Sequence, residues 1–211
     1  MKYKHIIFDF DGVLVESNAI RLEGFQTLFQ SYSKLHVDRL IDFAKDNAGI
    51  SRYQKIKYFF DKILNKSISD HLILDLAAQY SSIVKNKVVK APYVTGALGF
   101  IAENYKKYFL AIVSASDQEE LRDICEIRGI NQFFYEILGS PDSKEQNFIK
   151  LRKRGWIFRN SLFIGDSIND YNVALSLKID FIGRNSGIFD WNKVDSLLHI
   201  NDFSELKRML V

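Results

Sequence analysis

The sequence has little of several features that mark particular classes of protein. Its 211 residues include one cysteine and two prolines. Cys125 cannot form an internal disulfide, and its setting in Leu-Arg-Asp-Ile-Cys-Glu-Ile predicts a buried position on an amphipathic helix. Asp9 and Asp11 interrupt the first apolar run before it reaches the length of a signal peptide, and no run approaches a membrane span. We therefore expect a soluble cytoplasmic protein with no membrane partner.

An excess of charge of one sign is also missing. The net charge is +3, and lysines and acids are interspersed without a long basic block, so we expect no nucleic-acid partner. The four histidines, His5, His36, His71 and His199, lack the spacing of metal ligands, which argues against a zinc site. The aromatic residues are mostly Phe at core spacing, and we assign them to packing.

The apolar pattern changes near residue 90. Between Ser17 and Val89 apolar residues recur at helical spacing, whereas after Ala91-Pro92 strands alternate with helices. Beyond that point we predict strands at 109–113, 135–138, 161–164 and 180–182, and helices at 96–106, 117–128, 144–154, 170–177 and 203–210. This order predicts an α/β fold, a Rossmann-like parallel sheet core of residues 1–15 and 91–211 that is interrupted by an all-helical insertion of residues 16–90.

Two acids lie at the end of the first predicted strand, residues 4–10. Asp9 and Asp11 are two positions apart, so their side chains point the same way, and a glycine follows them directly. Acids in a buried strand need a positive partner, and the carboxyl ends of parallel strands are where ligands bind in such sheets. The pair therefore predicts a metal site at this edge of the sheet.

Two more strand ends carry polar residues that have either a functional or a structural explanation. Ser114-Ala115-Ser116 follows the second strand, where a helix N-terminus could bind an anion, although Ser116 with Glu119 also fits a capping box. Lys144 occupies the first turn of a predicted helix, where the helix dipole disfavours a cation, although a solvated surface lysine is the common alternative.

The fourth strand end is acidic. The segment Leu162-Phe163-Ile164-Gly165-Asp166-Ser167-Ile168-Asn169-Asp170 is a buried strand followed by two acids four residues apart. A helix cap would explain one of these acids but not both. Asp166 and Asp170 therefore indicate a second acidic contribution to a metal site.

Taken together, the four segments resemble the motifs of the haloacid dehalogenase superfamily of phosphohydrolases, in the same order. The residues that match are Asp9-Phe10-Asp11-Gly12-Val13, Ser114, Lys144, and Gly165-Asp166-Ser167-Ile168-Asn169-Asp170. The helical insertion resembles the small cap of the phosphoglycolate phosphatase and beta-phosphoglucomutase branch, in which the cap determines the substrate.

The resemblance implies a mechanism that begins at Asp9. This residue would attack a phosphate monoester and form an aspartyl-phosphate. Mg²⁺ would be held by Asp9, the backbone carbonyl of Asp11 and Asp166. Asp11 would protonate the leaving oxygen and later deprotonate water, which requires a carboxyl that holds a proton near neutral pH, and we expect crowding by other acids to provide it.

The remaining motif residues would bind phosphate or orient its ligands. Ser114, Ala115 and Lys144 would contact the phosphate oxygens, and Lys144 would also keep Asp9 ionised. Asp170 would orient Lys144 or a metal-bound water.

The cap loop Asn47-Ala48-Gly49-Ile50-Ser51-Arg52 resembles the Gly-x-x-Arg loop of sugar-phosphate members of the branch. Arg52 would then bind a second anionic group of the substrate, unless it is a helix-start arginine that faces water. A mutase of this branch has a histidine in the helix after the first motif, where this sequence has Arg21. This departure favours hydrolysis over mutase activity.

The sequence therefore predicts a Mg²⁺-dependent phosphatase that acts on a small phosphorylated metabolite, either a sugar phosphate or a compound like phosphoglycolate. The alternatives are a phosphomutase of the same branch and a non-catalytic interaction protein on the same fold. A metal-independent dehalogenase fits less well because Asp11 and Asp166 indicate a metal site. A receiver-type signalling domain also fits less well, because its phosphorylated Asp lies on a middle strand, where this sequence has Val113 followed by Ser114. We expect a monomer or a weak homodimer.

Overall fold

The central feature of the computed structural model, which describes residues 2–210, is one sheet of six parallel strands. The strand order is β3-β2-β1-β4-β5-β6. The strands are β1 (His5–Phe8), β2 (Phe109–Asp117), β3 (Glu136–Ser140), β4 (Ser161–Gly165), β5 (Asp180–Arg184) and β6 (His199–Ile200). The chain runs outward in one direction from β1 to β3 and in the other from β4 to β6, so the order reverses beside β1. Such a reversal opens a crevice at the carboxyl ends of the strands.

The helical insertion lies between β1 and β2. Its helices are α1 (Asn18–Leu28), α2 (Lys34–Asp46), α3 (Arg52–Tyr58), which continues into a π-helical turn at Phe59–Ile63, and α4 (Asp70–Lys90). The two chain crossings are adjacent, because Val15 forms an isolated bridge with Tyr93. The insertion therefore leaves and re-enters the core at the crevice.

Five further helices belong to the core. They are α5 (Ala97–Asn104), α6 (Gln118–Ile127), α7 (Lys144–Lys153), α8 (Ile168–Leu177) and α9 (Phe203–Met209). The central strands are buried on both faces, since Ile6 and Phe8 pack in one apolar cluster and Ile7 in another. Within residues 2–210, no helix combines the length and apolar character needed to span a bilayer.

The predicted α/β fold class is confirmed, and some local predictions differ from the structure. Strand β1 ends at Phe8, two residues before the predicted end. Strand β2 extends to Asp117, so the segment from Ser114 belongs to a strand rather than to a helix start. The two-residue strand β6 was not predicted. Cys125 is fully buried as predicted, and burial raises the pKa of its thiol to about 12.

Candidate active site

The turn after β1 brings the chain close to β4. The backbone N–H of Asp9 donates to the carbonyl of Ile164 at 2.9 Å, so the first acid continues the line of the sheet. Gly12 has φ +71°, and a Cβ atom there would lie 2.0 Å from Asp166 Oδ2 and 2.2 Å from Asn18 Nδ2. Only glycine meets both requirements, which explains the glycine that follows the two acids.

A buried cluster of three carboxylates and one lysine occupies the strand ends. Lys144 Nζ donates to Asp9 Oδ2 at 2.6 Å and also contacts Asp170 Oδ1. Asp170 is held in turn by Ser167, whose hydroxyl donates to Asp170 Oδ2 at 2.6 Å. The local sequence fixes both groups, because Lys144 is the first residue of α7 and Asp170 closes a capping box at the start of α8. The structure thus brings Asp9, Asp166, Asp170 and Lys144 together at one edge of the sheet.

The three buried acids of this cluster carry more negative charge than its one lysine can neutralise. Burial raises the pKa of Asp9 above its usual value, and Lys144 offsets this only in part. Burial, reinforced by the charges of Asp9 and Asp170, also raises the pKa of Asp166. The pKa of Lys144 is raised because attraction to Asp170 and Asp9 outweighs its burial. A further cation would stabilise the ionised acids.

The donor atoms of the cluster suit a divalent cation such as Mg²⁺. One carboxylate oxygen from each of Asp9, Asp166 and Asp170 lies within 4.8 Å of the others. Mg²⁺ binds through carboxylate oxygens together with waters and substrate phosphates. All three carboxylates already accept hydrogen bonds, but only Asp9 and Asp166 line the cavity, which makes them the protein side chains best placed to hold the ion.

The carboxylate of Asp11 lies in a different environment from the one we expected. It accepts hydrogen bonds from Ser17 Oγ at 2.5 Å, Arg21 Nε at 2.9 Å and Ser116 Oγ at 2.6 Å. Burial alone would raise the pKa of Asp11, but the charge of Arg21 and these three donors hold it below its usual value. The expectation that neighbouring acids keep Asp11 protonated is therefore wrong, because Arg21 and two hydroxyls surround its side chain.

The end of β2 also differs from one of the two predicted alternatives. Ser116 does not form a capping box with Glu119, because the N-cap of α6 is Asp117, which accepts a hydrogen bond from the N–H of Glu120 at 3.0 Å. Ser116 instead donates to Asp11, and the buried hydroxyl of Ser114 accepts from the N–H of Ser116 at 3.3 Å. Both serines therefore lie beside Asp11 and line the same cavity.

Arg52 is buried rather than solvated, so the alternative in which it faces water is wrong. Its guanidinium forms a two-point pair with Glu120, at 2.7 Å from Nη1 and 2.8 Å from Nη2. Nη1 also donates to Ser81 at 2.5 Å, and the guanidinium lies 4.8 Å from the ring centre of Tyr80. Arg52 thus contacts the core, where the carboxylate of Glu120 already neutralises its charge.

Glu120 was not identified from the sequence. It binds Arg21 Nη1 at 2.6 Å in addition to Arg52, so one carboxylate of α6 joins two arginines of the insertion. Burial would raise the pKa of Glu120, but hydrogen bonds and charge from the arginines lower it to about 2. The sequence did contain a pattern that indicates its burial, because Glu120 lies four residues before the core residue Ile124 and therefore on the same helix face.

Lys55 was also missed. It lies within α3, is 8% exposed, and its Nζ donates to the carbonyl of Ala48 at 3.3 Å. Burial, together with the nearby positive charges of Lys144, Arg21 and Arg52, lowers its pKa to about 8.

A cavity of about 70 Å³ separates the insertion from the strand ends. Core and insertion side chains both line it, among them Asp9, Asp11, Asn18, Arg21, Arg52, Lys55, Ser114, Ala115, Ser116 and Asp166. The loop before α3 closes one side, since a Cβ atom on Gly49 would lie 2.6 Å from Asn169 Cβ and 2.8 Å from Ser167 Oγ. The described conformation is therefore closed over the acidic cluster.

Comparison with known proteins identifies the class that this fold and site define. Residues 6–184 match the sequence profile of the haloacid dehalogenase-like hydrolases, and the chain belongs to that family. The resemblance inferred from the four motifs is confirmed, and so is the prediction that the protein is an enzyme of the hydrolase class. No curated protein matches the sequence at a significant level.

Solved structures share the fold at low sequence identity. A predicted phosphoglycolate phosphatase from Haemophilus somnus 129pt is 20% identical with a TM-score of 0.76, over 100% of this chain and 99% of the other. CbbY from Rhodobacter sphaeroides, solved with phosphate, is 16% identical with a TM-score of 0.76, over 97% of this chain and 96% of its own. A mutant of CbbY solved with xylulose-1,5-bisphosphate is 15% identical over the same shares, again with a TM-score of 0.76.

Proposed function

We propose that the protein is a Mg²⁺-dependent phosphatase that hydrolyses a small phosphate monoester through an aspartyl-phosphate on Asp9. The observation that carries this proposal is the buried contact of Lys144 with Asp9, beside Asp166 and at the mouth of a small cavity. A lysine on the nucleophile keeps it ionised and offers a positive charge to an incoming phosphate. A non-catalytic protein would have no need for this arrangement, which includes three buried acids.

Asp9 is oriented for attack through both of its carboxylate oxygens. Oδ1 accepts from the N–H of Phe10 at 2.6 Å and Oδ2 from Lys144. In the first half of the reaction a bond forms between an Asp9 oxygen and phosphorus, and the bond between phosphorus and the ester oxygen breaks. In the second half, water attacks the phosphorus, inorganic phosphate leaves and Asp9 is regenerated. A divalent cation held by Asp9, Asp166 and the carbonyl of Asp11 would neutralise phosphate charge.

We assign both proton transfers to Asp11, and each transfer needs a different protonation state of its carboxyl group. An ionised Asp11, as Arg21 keeps it, can accept the proton of the attacking water. To protonate the leaving oxygen, Asp11 must first hold a proton, and the negative charge of a bound phosphate favours this by raising the pKa of a nearby carboxyl. Because Arg21 lowers the pKa of Asp11, substrate binding must raise that pKa by a corresponding amount before Asp11 can protonate the leaving oxygen.

Ser114, Ala115 and Lys144 would contact the oxygens of the transferred phosphate. The two small residues line the cavity at the end of β2, and Lys144 approaches from α7. Asp170 would act by positioning Lys144, which it contacts directly. The cytoplasmic location and the monomeric or weakly dimeric state stay predictions.

The direct test is hydrolysis of p-nitrophenyl phosphate by purified protein with Mg²⁺. With a sugar phosphate as the substrate, release of inorganic phosphate without formation of an isomerised sugar phosphate would support hydrolysis over the mutase alternative. No hydrolysis of any phosphate ester would contradict the proposal and favour a non-catalytic interaction protein.

Chelation should remove the activity reversibly. We expect EDTA to reduce hydrolysis to background because the phosphate charge would then face Asp9 and Asp166 without neutralisation. Restoring Mg²⁺ should restore the rate, and the thermal unfolding midpoint with EDTA should show that the protein remains folded. Full activity of the metal-free protein would contradict the assignment of Asp9 and Asp166 as metal ligands.

Closure of the insertion can be tested at Gly49. An alanine there would meet Asn169 and Ser167, so the Gly49→Ala variant should close poorly over the cluster. Because small displacements of the reacting groups raise the activation free energy, we expect kcat/KM to fall by about 10-fold or more. Gly99→Ala is the matched control, because nothing lies within 4 Å of the added Cβ atom. Equal kcat/KM values for the two variants would show that this loop contact is not needed.

A further inference from the structure

The insertion begins with two side chains that contact acids of the core. Ser17 is the N-cap residue of α1, but its hydroxyl donates to Asp11 Oδ1 at 2.5 Å and forms no capping bond. Asn18, the first residue of α1, donates from Nδ2 to Asp166 Oδ2 at 2.7 Å. A serine at the N-cap usually stabilises its helix by about 1 kcal/mol. Helix α1 lacks this bond, so the needs of the helix do not explain where these side chains point.

Asp166 is the acid of the cluster that lacks a positive partner. Lys144 contacts Asp9 and Asp170, whereas no ion pair within residues 2–210 includes Asp166. Asp166 is nevertheless only 3% exposed. A buried carboxylate is stable in its ionised form only when a cation or several hydrogen bonds compensate for the lost water. The proposed metal ion therefore belongs next to this side chain.

Hydrogen bonds determine which oxygen of Asp166 is available to a cation. Both carboxylate oxygens of Asp9 and both of Asp170 accept hydrogen bonds from the protein. On Asp166, Asn18 occupies Oδ2, and no other group of residues 2–210 donates to this carboxylate in regular geometry, although Ser186 is close. Oδ1 of Asp166 is therefore the one of these six oxygens that is left for a cation.

The position of Asn18 is fixed by the core. Arg184, the last residue of β5, donates from Nη1 to the carbonyl of Gly12 and to the carboxylate of Glu16, each at 3.1 Å. The segment that leads to Asn18 is therefore held against the sheet. A Cβ atom on Gly12 would lie 2.2 Å from Asn18 Nδ2 and 2.0 Å from Asp166 Oδ2, so the glycine makes room for this hydrogen bond. The pair is thus in place without help from the closed insertion.

The number of oxygens that Asp166 can offer affects the choice of cation. Mg²⁺ takes about six ligands in a strict octahedron and keeps several waters, whereas Ca²⁺ takes about six to eight oxygens and often binds both oxygens of one carboxylate. A carboxylate whose second oxygen is bound to an amide offers a single oxygen to the ion. Such a ligand suits Mg²⁺ better than Ca²⁺.

We propose that Asn18 is a positioning residue that holds Asp166 as a one-oxygen ligand, so that the metal site selects Mg²⁺ over Ca²⁺. This inference rests on the proposed function, because that function supplies the metal ion. Asn18 acts through Asp166 and not on the substrate, so its effect is already present in the protein without substrate.

The test measures binding of MgCl₂ and of CaCl₂ alone, at constant ionic strength, from the rise of the unfolding midpoint with metal concentration. The readout is the ratio of the two dissociation constants, which a general loss of stability does not change. We expect the parent to bind Mg²⁺ more tightly than Ca²⁺. Asn18→Leu keeps the size of the side chain without the donor and should weaken Mg²⁺ binding by about 10- to 100-fold. Ca²⁺ binding should weaken by less than about tenfold, because Asp166 can then offer both oxygens.

Two variants serve as controls. Asn172→Leu makes the same substitution at an exposed position of α8, the helix that follows Asp166, and its ratio should equal that of the parent. Gly49→Ala, which we expect to impair closure, should also leave the ratio unchanged, because the core and not the closed insertion holds Asn18 in place.

Three outcomes would overturn the inference: equal affinity of the parent for the two ions, an unchanged ratio in Asn18→Leu, or the same change in Gly49→Ala. In the last case closure of the insertion, and not Asn18, would set the selectivity. If Asn18→Leu loses the preference for Mg²⁺ but the parent hydrolyses no phosphate ester, the proposed function fails while the role of Asn18 stands.

Discussion

The Asp9→Asn variant is expected to lose phosphatase activity by a factor on the order of 10⁴ to 10⁶, the size seen when an enzyme loses its nucleophile. An amide cannot form the aspartyl-phosphate, and it also removes the charge that Lys144 and the metal ion would share with Asp9. Asparagine has nearly the same shape as aspartate, so the contact with the N–H of Phe10 can persist. The loss would therefore report on chemistry rather than on folding.

The measurement is kcat/KM for p-nitrophenyl phosphate together with the unfolding midpoint of each protein. Asp38→Asn is a matched control, because Asp38 is half-exposed and, among residues 2–210, pairs only with Lys34 along α2. Brief reaction and acid quenching should reveal a phosphorylated Asp9 by peptide mass in the parent, and none in the Asp9→Asn variant. A variant within about tenfold of the parent would remove Asp9 from the nucleophile's role.

The Glu120→Gln variant should unfold more easily by about 3 kcal/mol at neutral pH. The side chains of Glu120, Arg52 and Arg21 are 3%, 4% and 12% exposed, so water cannot replace the lost charge. Glutamine keeps the size of the side chain but leaves Arg52 buried without an anion. The lowered pKa of Glu120 gives a similar figure, since a fall from 4.5 to about 2 corresponds to about 3 kcal/mol.

The pH dependence gives a second and independent check. Because the folded-state pKa of Glu120 lies below its unfolded value, its contribution to stability is complete above pH 4.5 and is lost as the pH falls toward about 2. The difference in free energy of unfolding between parent and variant should therefore shrink across that range. Urea unfolding at several pH values measures this difference.

Glu119→Gln is the control for this experiment, because Glu119 neighbours Glu120 but is 79% exposed and, within residues 2–210, pairs only with Arg122. Its effect should stay within about 0.5 kcal/mol. Equal effects of the two substitutions, or a difference that does not depend on pH below 4.5, would show that the buried pairing contributes little to stability.

The parts of the site that could be predicted from sequence are those that follow strands. Asp9, Asp166 and Lys144 come directly after apolar segments, and parallel strands must bring those ends to one edge. Local sequence was sufficient here because the parallel sheet places these three residues close together without any contribution from the insertion. The same reasoning failed for the ionisation of Asp11, because its partners Arg21 and Ser116 come from the insertion and from β2.

The insertion was harder to interpret because its contribution depends on how its helices are placed on the core. Lys55 and Lys57 lie two residues apart on α3, and nothing in the local pattern shows which one is buried. Glu120 carried a helical signal, yet its two arginine partners are 68 and 99 residues away in sequence. Strand β6 was missed because two residues give no periodic pattern.

The sharing of Glu120 by two arginines also constrains how the chain can change over evolutionary time. If Glu120 were lost first, Arg52 would be buried without an anion and Arg21 would keep only Asp11, and if both arginines were lost first, the buried carboxylate of Glu120 would have no cation. We therefore expect substitutions at positions 21, 52 and 120 to be correlated among descendants of this sequence. Position 55 forms no ion pair with this set within residues 2–210, so a substitution there would leave the pairing of the insertion with the core intact.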